Sequence, residues 1–330
     1  MVISLKHQRF NIGKLDKSEI IRLLQAQGEL QQDLFREARA VREEYGVDEV
    51  TLRGVIEISN FCQKNCDYCA MRASNPNLER YRLSIEEILS IVDQIKAANI
   101  GIAFLQSGQD PREDEMLEQI IPEIKKKGME VLLCLGEKPQ ETYANFARLG
   151  ADSYILKFET SSPDLYKHIA HTPLEKRLEC VKSLQNLGYR VGTGNIVGLP
   201  NQTLEHLADD ILLALSIKPD FVSSSPFIPN QETPLESLAY GNLNLTLNTL
   251  AIYRIALKNC LIPSVSALEK TYKGGQLMGL NAGANVLTIN FTPDTFRNKY
   301  AIYSKQRFVV SLEHALRTIE QAGLKVKSPF

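Results

Sequence analysis

The sequence predicts an α/β protein, a closed (β/α)8 TIM barrel with an N-terminal helical extension. Three observations lead there. Eight short apolar or β-branched runs recur along the chain, segments of helical period separate most of them, and the alternation occupies about 280 residues. An open doubly wound sheet usually stops at about five or six strands. Eight units of this length suit a barrel of about 250 residues better. The alternative is a pair of smaller α/β domains divided near residue 200.

Two amphipathic helices come first, in "DKSEIIRLLQAQGELQQDLFREARAVREEY" (16–45), with a break near Gly28 and Asp16 or Ser18 as cap. Residues 1–48 are accordingly set apart as a helical cap, and 49–330 as the barrel. Strands are expected at "LRGVIEIS" (52–59), "IGIAFLQS" (100–107), "MEVLLCL" (129–135) and "DSYILKF" (152–158). The series continues with "RVGTGNIVG" (190–198), "DFVSSSPF" (220–227), "LIPSVSA" (261–267) and "ANVLTINF" (284–291). Helices are expected at 84–99, 173–188 and 203–215 among others. No repeat, low-complexity tract or interdomain linker interrupts the pattern.

The chain has 330 residues, 44% of them hydrophobic, and a formal net charge of −1. That is ample for a core. The absence of a basic excess argues against nucleic acid or an anionic membrane as partner. No apolar run approaches the roughly 20 residues of a membrane helix. The opening "MVISLKHQRFNIGKLDKSE" lacks the apolar core and cleavage site of a signal peptide, so a cytoplasmic protein is expected. Its cysteines should then be reduced and free to act as thiolates.

Half of the six cysteines crowd into "NFCQKNCDYCAMR" (60–72), as Cys62, Cys66 and Cys69. In a barrel this loop follows the first strand, on the face where active sites are built. Structural zinc usually takes two cysteine pairs. Here Cys134, Cys180 and Cys260 stand alone and read as a buried strand residue, a helix residue and a helix end. His168 or His171 would be a fourth ligand in principle, though both read more simply as surface or loop residues. An iron–sulfur cluster normally takes four thiolates. Three leave one iron open to the amine and carboxylate of a small molecule, and that is the reading adopted. A zinc site completed by an exogenous ligand stays open.

Cys62-x3-Cys66-x2-Cys69, with Tyr68 before the last cysteine, resembles the signature of the radical S-adenosylmethionine (SAM) superfamily. The resemblance implies a 4Fe–4S cluster whose open iron binds SAM. Reductive cleavage of SAM then gives a 5′-deoxyadenosyl radical. Further stretches, "RYRLS", "LQSGQDP", "CLGEKP", "GNIVGLPNQT", "PFIPNQETPL" and "GANVLTINFTP", follow in order. Together they are similar to the FeFe-hydrogenase maturase of the biotin synthase-like branch, with methylornithine synthase, an amino-acid mutase, as a nearby relative.

This resemblance implies roles for particular residues. Ser107 and Gly108 form the turn that offers polar groups to the SAM amine, with Gln109 where the relatives are acidic. Glu159 contacts the ribose or amino group, and Arg177 takes the SAM carboxylate with a fork of donors. Gly194, Asn195 and Gly198 run beside the adenosyl group, and Tyr303 lies near the SAM site. From the residues themselves, Arg53 and Glu57 alternate on the first strand so that both point inward, as an ion pair or a substrate contact. The chain departs from the maturase at Lys157-Phe158 and at "PSVSALEK". There Ser266 and Glu269 are candidate substrate contacts, Glu269 for an ammonium group; alternatively Glu269 and Lys270 begin a solvated helix.

No cysteine follows Cys260, which argues against a C-terminal auxiliary cluster and against a sulfur-inserting reaction. The expectation is an enzyme whose adenosyl radical acts on a small amino-acid-like substrate, similar to the hydrogenase maturase. An amino-acid carbon-skeleton mutase is the alternative, and an iron–sulfur carrier or zinc scaffold the non-enzyme one. By the same resemblance a low-potential flavodoxin or ferredoxin supplies electrons.

Overall fold

Arg53, Val55 and Glu57 face one side of the first strand while Gly54, Ile56 and Ile58 face the other, and this alternation sets the architecture. The computed structural model describes residues 16–303 and 306–329. Residues 1–15 of the expected N-terminal cap lie outside that range. Strand β1 (Glu49–Ser59) is followed in the ring by β2 (Ile102–Ser107), β3 (Glu130–Cys134), β4 (Ser153–Ile155), β5 (Arg190–Val197) and β6 (Phe221–Pro226), each parallel to the one before. On its other side β1 pairs in parallel with β7 (Val286–Asn290). A short β8 (Lys325–Val326) adds to the start of β1, outside the ring.

The ring closes between β6 and β7 through residues 261–263. Leu261 bridges Phe221, and Pro263 bridges Val286. The Val222 amide donates to Leu261 O at 3.0 Å, and the Asn285 amide to Ile262 O at 2.8 Å. The expected strand over 261–267 is thereby reduced to isolated bridges. The physical reason is Pro263, which has no N–H to give to a ladder.

Helices cover the ring. First come α1 (Lys17–Leu24) and α2 (Gly28–Glu44), with Asp16 capping α1 by accepting the Glu19 amide at 2.8 Å. Gly28 opens α2 with φ +56, which explains the break seen in the sequence. Next is α3 (Ile85–Ala97), started by a Ser84–Glu87 capping box. Then follow α4 (Asp114–Lys126), α5 (Gln140–Leu149), α6 (Pro163–Ala170), α7 (Leu174–Asn186) and α8 (Leu204–Ile217). After β6 come α9 (Leu243–Leu257), α10 (Ser266–Thr271) and α11 (Gly275–Asn281), and after β7 come α12 (Asp294–Arg297) and α13 (Leu312–Gln321). The apolar stripes of α1 and α2 pack on α8 and α9.

The outward side of the strands makes the main core with these helices. Gly54 shows how tight it is, since a Cβ there would stand 2.6 Å from Ile95 of α3. Inside the ring Val55, Phe104 and Leu132 form a separate small apolar plug. Val55 and Phe104 of this cluster also line the barrel interior. No helix among the described residues is long and apolar enough to cross a membrane.

Candidate active site

The barrel interior holds a cavity of about 320 Å³. Cys62, Cys66 and Cys69 all stand on its wall. The loop that carries them is tied down at each end. Buried Asn60 donates to Glu79 O at 2.9 Å and to Lys299 O at 2.8 Å, and accepts the Tyr81 amide at 2.8 Å. Asp67, between the last two cysteines, gives its amide to Ile169 O of α6 at 2.8 Å and accepts from His171 at 2.8 Å and Arg72 at 3.1 Å. Beneath the loop Asp110 holds Arg82 through two hydrogen bonds of 2.5 and 2.9 Å, and the Arg82 guanidinium lies 3.7 Å over the Phe61 ring.

The three sulfurs share one cavity, as ligands of a single iron–sulfur centre must. Cys62 Sγ accepts the amides of Lys64 and Gln109, each at 3.4 Å, an arrangement that supports a cluster-bound thiolate. Burial pushes the Cys66 thiol up to about 11 and raises Cys69 as well. Such thiols stay protonated unless a metal cation takes the proton's place.

The wall opposite is built from strand ends. Gly108 touches the cysteine loop so closely that a Cβ would lie 2.8 Å from the Cys62 Cβ. Ser107 donates its hydroxyl to Gly108 O at 2.5 Å. Gln109 lines the cavity, and its Oε1 accepts the Glu137 amide at 3.0 Å and braces the loop after β3. Glu159 is held at φ +62 by hydrogen bonds from its amide to Gly194 O and from the Ile196 amide to its carbonyl. Its Oε2 is buried and lies 3.1 Å from Lys157 Nζ, an ion pair without hydrogen-bond geometry among the described residues.

Arg177, buried on α7, donates Nε to Tyr166 at 2.8 Å and lies 3.0 Å from Glu137. The other Glu137 oxygen takes Lys64 Nζ at 2.7 Å. Among the described residues, the two terminal nitrogens of Arg177 make no hydrogen bond. Tyr303 stands on the same cavity, its phenol raised by burial.

Deeper in, the expected Arg53–Glu57 pair is replaced by another. Glu57 is gripped on both oxygens by Arg307, with Asn290 adding a hydrogen bond at 3.0 Å. Arg53, only 3% exposed, is left with Thr288 Oγ1 at 3.2 Å and the Phe104 ring at 5.3 Å. Its Nη1 has no partner among the described residues, and burial holds its pKa down to about 10, still a cation at neutral pH. Ser266 opens α10 on the cavity wall.

Two expected site residues stand elsewhere. Asn195 falls on the helix side of β5, one position out of phase with the cavity, where its amide donates to Asp210 of α8 at 3.0 Å. Glu269 neither grips an ammonium nor begins a solvated helix. Its two oxygens accept the amides of Gly274 at 2.7 Å and Gln276 at 3.0 Å, capping α11. Cys134, expected in the core, is instead on the cavity, where burial pushes its thiol up to about 12. His168 and His171 lie outside the cavity, on a shallow surface hollow. Reading residues singly missed Glu137, Arg80 and Arg307. The first two sit in "CLGEKP" and "RYRLS", stretches that carried the resemblance without an assigned role.

A sequence model of the radical SAM superfamily matches residues 56–214. The [FeFe] hydrogenase maturase subunit HydE of Thermotoga maritima is 41% identical over 305 residues, 88% of this chain and 86% of that protein. The 3-methylornithine synthase of Methanosarcina acetivorans is 28% identical over 287 residues, 86% of this chain and 81% of that one. The crystal structure of methylornithine synthase superposes with a TM-score of 0.84 at 24% identity, over 96% of this chain and 95% of that one, which speaks for the fold. A three-thiolate loop over a parallel barrel, shared at such identity along most of the chain, makes this protein a member of the radical SAM superfamily, whose enzymes use a 4Fe–4S cluster and SAM.

Proposed function

We propose that this enzyme acts on a small, amino-acid-like molecule held beneath SAM in the barrel, as a relative of the hydrogenase maturase. The observation that carries the proposal is Arg53, a buried cation without a carboxylate partner at the cavity floor. An uncompensated buried charge is costly, and an anionic group on the substrate offsets that cost.

In this reading Cys62, Cys66 and Cys69 hold the cluster. When bound, cluster and SAM together supply a one-electron cleavage that yields the 5′-deoxyadenosyl radical. The chain's own residues do the positioning. Glu159 Oε2 receives a hydroxyl or ammonium hydrogen of SAM, and the free end of Arg177 takes the carboxylate. Ser107 and Gly108 bring backbone close to the ligand, and Tyr303 closes one side. Arg53 and Ser266 orient the substrate from below. The apolar cluster of Val55, Phe104 and Leu132 gives the substrate an apolar wall beside Arg53.

A cavity inside the barrel with a buried cation on its wall is of no use to a simple iron–sulfur carrier. A cytoplasmic setting, with a low-potential flavodoxin or ferredoxin as reductant, suits the cysteines and the reaction. The 28% identity to a methylornithine synthase supports a mutase as second reading. The test is SAM cleavage by anaerobically reconstituted, reduced protein, with Cys66→Ala as control. 5′-Deoxyadenosine that the control abolishes supports the proposal, and iron binding without cleavage sinks it. Rearrangement of added lysine then selects the mutase.

A further inference from the structure

Arg80 lies between the cysteine loop and α3. Its Nη1 donates to Asn60 O at 2.6 Å and Met71 O at 2.8 Å, and its Nη2 to Arg72 O at 2.6 Å. One guanidinium therefore joins the chain just before Cys62 to the chain just after Cys69. The joint is doubled by Asn60, whose side chain holds the backbone on either side of Arg80, at Glu79 O and the Tyr81 amide. A rigid planar fork can span three carbonyls in this way, and an ammonium cannot.

Its charge is equally distinctive. The other cations at the loop have carboxylate partners: Lys64 and Arg177 share Glu137, Arg72 pairs with Asp67, and Arg82 with Asp110. Arg80 pairs with no carboxylate among the described residues, and its three partners are neutral carbonyls.

Resting on the radical SAM reading of this loop, we propose that Arg80 is a positioning residue for the cluster, closing the three-cysteine loop and supplying the unpaired positive charge that favours the cluster's reduced state. Reduction moves one electron from an external low-potential donor onto the cluster, with no bond made or broken. A fixed cation nearby stabilises the added charge more than it stabilises the oxidised form.

The test separates the two parts with Arg80→Gln and Arg80→Lys in reconstituted enzyme. Iron and sulfide per chain, the rate of iron loss to a chelator, and an EPR-monitored redox titration are read for each. Gln keeps some donors without charge. At a donor potential that half-reduces the wild type, its reduced-to-oxidised ratio should fall about tenfold, about 59 mV for one electron. Lys keeps the charge but not the span, so its potential should match the wild type while iron is lost several-fold faster. A wild-type potential in Arg80→Gln overturns the electrostatic role, and wild-type iron retention in both variants overturns the clamp. Should Arg80→Gln hold no cluster, the Lys variant decides, a lowered potential there counting against the proposal. Wild-type protein that takes up no iron defeats the cluster reading of the loop itself, which the wild-type arm alone reveals.

Discussion

Glu57 and Arg307, 250 residues apart, meet as a two-pronged ion pair inside the barrel mouth. Their side chains are 2% and 9% exposed. Asn290 holds one Glu57 oxygen from β7, and Arg307 also donates to Arg297 O at 3.0 Å. The pair thus fastens the segment after β7, including Tyr303 and Phe308, over the cavity.

Breaking this pair from one side strands a charge. Arg307→Met should cost about 3–5 kcal/mol, because Glu57 stays buried without its counter-ion. The double variant Glu57→Gln/Arg307→Met should recover much of the loss. Denaturation of the two variants side by side checks this, and equal losses would contradict it.

Arg177→Lys tests the fork at the SAM carboxylate. A lysine retains the charge near Glu137 but cannot present two parallel donors. SAM affinity should drop about tenfold or more, the worth of one charge-assisted hydrogen bond. Iron content should be unchanged. Binding titration of SAM with iron analysis on the same sample provides the check.

Arg53→Met removes a buried cation that has no ionic partner in the free protein. Stability should therefore hold or rise, by about 1 kcal/mol or more. Substrate-dependent turnover should be lost, while SAM cleavage in the absence of substrate continues. A variant that unfolds instead would show that Arg53 supports the fold.

Glu113 gives a pH signature. Burial raises its pKa to about 8, with Lys138 at 3.0 Å pulling the other way. The folded chain then holds a proton that the unfolded chain releases near its ordinary value of 4.5. Its contribution to stability is full below that value and is lost as pH rises toward 8. Between pH 6.5 and 8.5 the loss should reach about 2 kcal/mol. Glu113→Gln, which mimics the protonated acid, should flatten this slope in urea titrations across that range.

The barrel was legible because its signal is repetitive: each strand run and each helical stripe restates the same unit. Positions that depend on one residue of phase were less so. Asn195 reads equally well on either face of β5, and only the register with Ser224 and the contact with Asp210 fix it on the helix side. Glu269 misled because a carboxylate in a short polar stretch looks the same whether it meets a ligand or a helix end. The partner of Glu57 had no local signal at all, since Arg307 comes from the far end of the chain. The cysteine loop was plain because three thiols at that spacing have few other uses, whereas Arg80 acts through backbone carbonyls that sequence does not display.

The closure of the ring through Leu261 and Pro263 changes how the chamber wall is written in the sequence. Every other joint in the circumference is a ladder, whose alternation turns every second side chain away from the chamber. Here isolated bridges replace the ladder, and the successive residues Pro263, Ser264, Val265 and Ser266 all line the cavity. This stretch therefore lends the chamber more consecutive wall per residue than a regular strand does.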